Sequence, residues 1–135
     1  MTTTTDTALV SRLREAYDAF ARGDLPTVLA TMSPGIHWAE PPGSVYPGPF
    51  TGTQEVVDGL FSRIPADWTL FSVTLERFLP SGNTVVTVVR YDVTHATTGR
   101  SATVHGVHVW DSDGERFTAF EGFHDTHVLR DAAGA

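Results

Sequence analysis

The chain contains no cysteine. That excludes a disulfide scaffold, a thiol nucleophile and any thiolate-held zinc or iron–sulfur centre, and it fits a reducing compartment. Positive charge is also scarce. Nine Lys and Arg stand against sixteen Asp and Glu, a formal net charge of −7. With no basic stretch, nucleic acid and anionic membrane surfaces are excluded as partners. No apolar run approaches the ~20 residues that span a bilayer. The threonine-rich segment Met1–Thr7 lacks the charged and apolar regions of a signal peptide, and a cytoplasmic protein is expected. A Gly-rich phosphate loop, a G-x-S-x-G elbow and an EF-hand loop are all missing. The six histidines do not suggest a metal centre. His105 and His108 are three apart on an expected strand, as are His124 and His127. Residues so spaced face opposite sides of a sheet and cannot chelate one ion. No metal and no cofactor are expected.

What is present is enough for one core. A length of 135 residues predicts one domain, here over 8–129, and a chain of this size buries ~68–70% of its unfolded surface. Residues 1–7 and the small, polar Asp131–Ala135 read as frayed tails, so 130–135 is assigned to a tail as well. Leu9, Leu13, Ala16, Tyr17 and Phe20 recur at helical spacing and predict a helix over 8–21. Asp24 caps a short second helix with Pro26 in its first turn and Val28, Leu29 and Met32 facing inward, ended by Pro34-Gly35. A third helix is expected over 54–63, its stripe made by Val56, Val57, Leu60, Phe61 and Ile64, with Thr51 and Gln54 at capping-box spacing and Thr53 as the alternative cap. From Trp68 the period becomes strand-like. Segments 68–79, 84–96, 101–111 and 116–129 are separated by turn sequences and read as an antiparallel meander. Residues 36–40 form a short extra strand.

This order predicts an α+β fold, three N-terminal helices packed on one face of a strongly curved, mainly antiparallel sheet. Val85, Val86, Val88 and Val89 are apolar at both parities. Helices can cover one face of that strand, and a second subunit is the simplest cover for the other, so a homodimer through the outer sheet face is expected; a central strand with a lightly exposed back face is the alternative.

The segment Ile36-His-Trp-Ala-Glu-Pro-Pro-Gly-Ser44 presents Trp38 and Glu40 on one strand face and then leaves through rigid prolines. A carboxylate walled by Trp38, Tyr46 and Phe50 has its charged form disfavoured, and such a group serves as a general base near neutral pH. An ordinary exposed Glu at a strand end is the alternative. On the meander His108 shares a face with Trp110. Glu121, Phe123, Asp125 and His127 share a face opposite Phe120 and His124, and Arg90 shares one with Asp92, either as part of a site or as a structural ion pair.

The order of elements, together with Gly23-Asp24, Glu40-Pro-Pro-Gly-Ser44, Gly52, His108-Val-Trp110 and Asp125-Thr126, resembles the nuclear transport factor two-like superfamily. The likeness is to its SnoaL-like polyketide cyclase and ketosteroid isomerase branches in particular. The resemblance implies a cone-shaped α+β barrel with one deep pocket. It implies a small cofactor-independent enzyme doing general acid/base chemistry, isomerisation or cyclisation beside a carbonyl, on an apolar polyketide- or steroid-like substrate. Glu40 falls on the isomerases' general base. Their oxyanion-hole Tyr falls at Ala16, with Tyr17 one position late, and their second donor falls at Gly106 or Val107. The cyclases' last-strand acid/base falls at Asp125 or Glu121, with His108 as a proton donor or oxyanion partner. Trp38, Tyr46, Tyr17, Tyr91, Trp110 and Phe120 would line the pocket. Arg90-Tyr-Asp92 with Glu121 resembles an epoxide-hydrolase set, which makes an epoxide-opening enzyme one alternative and a non-catalytic ligand-binding protein the other.

Overall fold

The computed structural model describes residues 4–135, with side chains from Ala8 onward. Residues 1–3 of the expected N-terminal tail lie outside the described residues. Helix α1 (Thr4–Ala21) starts four residues earlier than its apolar spacing required, and it buries Leu9, Leu13, Ala16 and Ala19. Helix α2 (Leu25–Ala30) begins where Asp24 accepts hydrogen bonds from the Thr27 N–H and hydroxyl. That cap satisfies a donor the first helical turn would otherwise leave orphaned.

Strand β1 (Met32–Ala39) follows directly. Met32 therefore faces the core from a strand rather than a helix, and Pro34-Gly35 sits within β1, where the pairing register shifts between Met32 and His37. Strand β2 (Phe50–Thr51), absent from the sequence reading, pairs antiparallel with β1. The expected third helix is broken into three turns. Helix α3 (Thr53–Val56) runs into a π-helical turn (Val57–Phe61), and helix α4 (Ile64–Asp67) restarts with a proline in its first turn. Thr51 does not cap it. Gly52 holds the cap position without a side-chain bond, and Glu55 instead reaches back to the Thr51 N–H at 2.9 Å.

Strands β3 (Trp68–Ser81), β4 (Thr84–His95), β5 (Ser101–Ser112) and β6 (Phe117–His124) form the expected meander. The sheet order is β2-β1-β6-β5-β4-β3, with β1 parallel to β6 and the other pairs antiparallel. Register shifts in β3 between Leu75 and Arg77, and where β5 meets β6, bend these long strands around the helices. Together these elements make the mixed α+β cone with a curved six-stranded sheet.

The last strand is shorter than expected. Asp125 ends β6 and caps helix α5 (Thr126–Ala133), accepting from the Val128 N–H at 3.1 Å. The C-terminal segment is therefore not a frayed tail. Leu129 and Ala132 are buried, and the Thr98 hydroxyl and Arg100 guanidinium donate to the Ala132 and Asp131 carbonyls. On β4 the odd positions Val85, Thr87, Val89, Tyr91 and Val93 are buried against the helices, while Val86 and Val88 stay half-buried on the outer face.

Candidate active site

One cavity of about 90 Å³ opens between the concave face of the sheet and the helices. That is several times the ~10–15 Å³ a single water needs. Its wall is almost wholly apolar, built by α1, α2, the π-turn, α5 and the inner positions of β1 and β3–β6. The π-turn brings Leu60 and Phe61 in together, and Trp38 stacks on Phe120 at 3.8 Å between ring centres across the parallel β1–β6 pair.

Among the described residues, Glu40 is the one acidic side chain in this wall. Alternation along β1 buries Ile36 and Trp38 and carries Glu40 to the same face at the strand's exit. The residue is only half-buried, yet its carboxyl faces apolar surroundings, and desolvation raises its pKa from 4.5 to about 8. Opposite it on β6 stands Gly122, paired with His108 of β5. A Cβ there would lie 2.7 Å from Glu40 Oε2, so glycine is what leaves room for the carboxylate.

The polar remainder is a linked cluster. Tyr17 of α1 reaches His108 Nδ1 at 2.5 Å and Thr87 Oγ1 at 2.9 Å, and it accepts from the Trp110 indole N–H at 3.1 Å. Tyr91 of β4 bonds His108 Nε2 from the other side. Burial lowers the His108 pKa to about 3, with His124 adding to the shift, so the ring is neutral. Burial raises Tyr17 and Tyr91 well above the ordinary phenol value, and the Glu40 charge pushes both further. Tyr46 is held at the edge, donating to Asp67 at 2.6 Å and accepting from the Trp68 indole at 3.1 Å.

Of the residues singled out from the sequence, Glu40, His108, Tyr17, Trp38, Tyr46, Tyr91, Trp110 and Phe120 all meet at this cavity. Four do not. Asp125 is an exposed helix cap, because the chain turns from strand to helix one residue before it. Glu121 is exposed on the outer side of β6, since Phe120 and Gly122 take the inner side. Arg90 and Asp92 pair with each other at 3.2 Å on the outer face of β4. The epoxide-hydrolase set therefore lies behind the sheet, away from the cavity. His108 also differs from a free proton donor, because a phenol occupies each of its ring nitrogens.

His124 was missed. It lines the cavity with Nε2 buried, and neither that atom nor the buried Trp38 Nε1 has a hydrogen-bond partner among the described residues. Strand alternation had set His124 with Phe120; knowing that the Phe120 side faces inward would have found it.

The SnoaL-like domain family model matches residues 13–120, and the chain belongs to that family. An NTF2-like protein of unknown function from Burkholderia pseudomallei is 33% identical, with 95% of this chain and 98% of that one covered at a TM-score of 0.86. A second NTF2-like protein, from Burkholderia thailandensis, is 30% identical over 90% of this chain and 94% of that one, also at 0.86. TerC co-crystallized with polyporic acid shares the fold at 21% identity, 95% and 99% coverage and a TM-score of 0.85. No curated protein matches.

Proposed function

We propose that this protein is a cofactor-independent acid/base enzyme that abstracts a proton beside the carbonyl of an apolar substrate, leading to isomerisation or cyclisation. The observation that carries this reading is the Glu40 carboxyl in an apolar cavity with its pKa raised to about 8, facing a cluster of buried hydroxyl and imidazole groups. Ionised Glu40 is a base strong enough to take a carbon-bound proton made acidic by a neighbouring carbonyl, and near neutral pH it can return that proton elsewhere. Apolar walls exclude water and favour a hydrocarbon-rich substrate. The half-buried Val86, Val88, Val107 and Val109, with exposed Phe123 beside them, give the outer face an apolar stripe suited to a second copy of this chain. We propose a homodimer through it.

Exchange of α-hydrogen for solvent deuterium in a panel of cyclic ketones and β-diketones reads the first step without a known product. Exchange should rise with pH up to about 8, as Glu40 ionises. Glu40→Gln should slow it by ~10²–10⁴ while ketone binding persists. Exchange unaltered by Glu40→Gln removes Glu40 from the chemistry.

A further inference from the structure

Proton abstraction beside a carbonyl needs a donor to the oxygen on which charge develops. The hydrogen-bond inventory of the cluster identifies one. A neutral imidazole has one N–H and one acceptor nitrogen, and here a phenol sits at each. Two directions are open. In one, His108 Nδ1–H donates to Tyr17, Tyr17 donates to Thr87, and Tyr91 gives its hydrogen to Nε2. Thr87 has no exposed surface, and among the described residues its hydroxyl meets only Tyr17. Its own hydrogen would then be buried with no acceptor, an arrangement that proteins avoid.

The other direction leaves no hydrogen stranded away from the cavity. The Thr87 hydroxyl and the Trp110 indole both donate to the Tyr17 oxygen. Tyr17 donates to Nδ1, and Nε2–H donates to the Tyr91 oxygen. The chain then ends with one unused hydrogen, on Tyr91, whose ring lines the cavity that also holds Glu40. We propose that Tyr91 is the hydrogen-bond donor to the substrate's carbonyl oxygen, its hydroxyl freed for that task by the one-way chain from Thr87 and Trp110 through Tyr17 and His108.

The proposal rests on the reading of Glu40 as base and adds the acid side of the same step. The substrate C–H pair becomes the enolate double bond, the proton moves to the Glu40 carboxylate, and the carbonyl π pair moves to the oxygen facing Tyr91. Tyr91 keeps its own proton, so the intermediate is a hydrogen-bonded enolate. Glu40 then returns the proton to another carbon, or the enolate carbon attacks a second carbonyl, the ring closes, and the oxygen that receives that carbonyl's π pair takes the proton from Glu40. Tyr17 and His108 line the cavity but spend their polar hydrogens within the chain, and they act as positioning residues. Trp38 Nε1 and His124 Nε2, buried without a partner among the described residues, line the same cavity and leave further polar contacts for a substrate carrying more than one oxygen.

Imidazole nitrogen NMR on the histidine-labelled protein tests the direction of the chain without any ligand. His108 should be the Nε2–H tautomer at pH 7, and Glu40→Gln should leave it so. An Nδ1–H tautomer or an imidazolium overturns the proposal. Ligand binding tests the donor itself, with 4-nitrophenolate standing in for the enolate. In a Glu40→Gln background Tyr91→Phe should weaken 4-nitrophenolate binding by ~10-fold or more and leave nitrobenzene binding unchanged. Equal effects on the two probes, or none on either, overturn it. The two readings fail separately. An Nδ1–H tautomer with Glu40-dependent deuterium exchange removes the donor and keeps the base, and the reverse pattern removes the base.

Discussion

Along β4, Tyr91 faces the cavity at 6% exposure, while its neighbours Arg90 and Asp92 pair at 3.2 Å on the outer face with 38% and 37% of their side chains exposed. The same contrast repeats on β5, where buried His108 sits between half-buried Val107 and Val109 and exposed His105 lies on the outer side. The two histidines of β5 thus meet opposite environments three positions apart, as adjacent residues do on β4. On the outer face water solvates the charges, and an ion pair of this exposure is worth ~0–1 kcal/mol. On the inner face desolvation dominates: it holds His108 neutral and lifts Glu40 to about 8. Residue type alone does not make a site here. Alternation along the strand decides which carboxylate and which imidazole are available for chemistry.

The largest break in this contrast should come from adjacent residues of β5. Trp110 is buried, packs against Trp38 and Phe120 at 5.6 and 4.8 Å between ring centres, and donates to Tyr17. Trp110→Ala should cost about 3–5 kcal/mol in denaturant unfolding. Val109→Ala, one position away on the outer side, should cost less than about 1 kcal/mol. Val109 belongs to the stripe proposed for the dimer, so its cost should grow with protein concentration, and a Trp110→Ala cost no larger than that of Val109→Ala would overturn the contrast.

Titration separates the faces next. Below pH 4.5 Glu40 is protonated in both folded and unfolded chains. Between 4.5 and about 8 the unfolded chain ionises while the folded one holds its proton, so stability falls as pH rises. His108 works in the opposite sense. Between 6.5 and about 3 the unfolded ring binds a proton that the folded one refuses, and stability falls as pH drops. Glu40→Gln should therefore stabilise the protein by about 1–3 kcal/mol at pH 9 and leave the acid limb in place. A stability profile unchanged by Glu40→Gln would mean that the carboxylate is solvated.

Much of this arrangement was legible in the residues. Helical spacing gave α1, the Asp24 cap gave α2, and turn sequences delimited the meander. Trp38 with Glu40, and His108 with Trp110, were set on common faces by alternation alone. The failures came where a local signal was overridden or passed over. Helical spacing puts Leu60 and Phe61 on one inward stripe and both are buried, but the π-turn over Val57–Phe61 that interrupts the helix has no 3.6-residue signature. Asp125 was read along a continuous strand, although Asp125 followed by Val128, Leu129 and Ala132 has the cap and spacing of a helix start. Tyr17, expected in the pocket wall, sits one position late for the isomerases' oxyanion Tyr. A phenol is long enough for its hydroxyl to reach Thr87 and His108 regardless.

The smallest expected effect concerns Asp92, the residue whose sequence context most suggested chemistry. Its carboxylate accepts from Arg90 at 3.2 Å and from the Thr103 hydroxyl at 2.9 Å, and all three side chains stand on the outer face. Asp92→Asn keeps the shape and one acceptor oxygen and removes only a solvent-screened charge. It should change stability by less than about 1 kcal/mol, with that difference shrinking as salt is added. Deuterium exchange into ketones should proceed at the wild-type rate, because no group of the cavity touches this pair. Loss of exchange in Asp92→Asn, with the fold intact by circular dichroism, would place chemistry on the outer face. It would then be the outer face, rather than the desolvated inner one, that holds the working carboxylate.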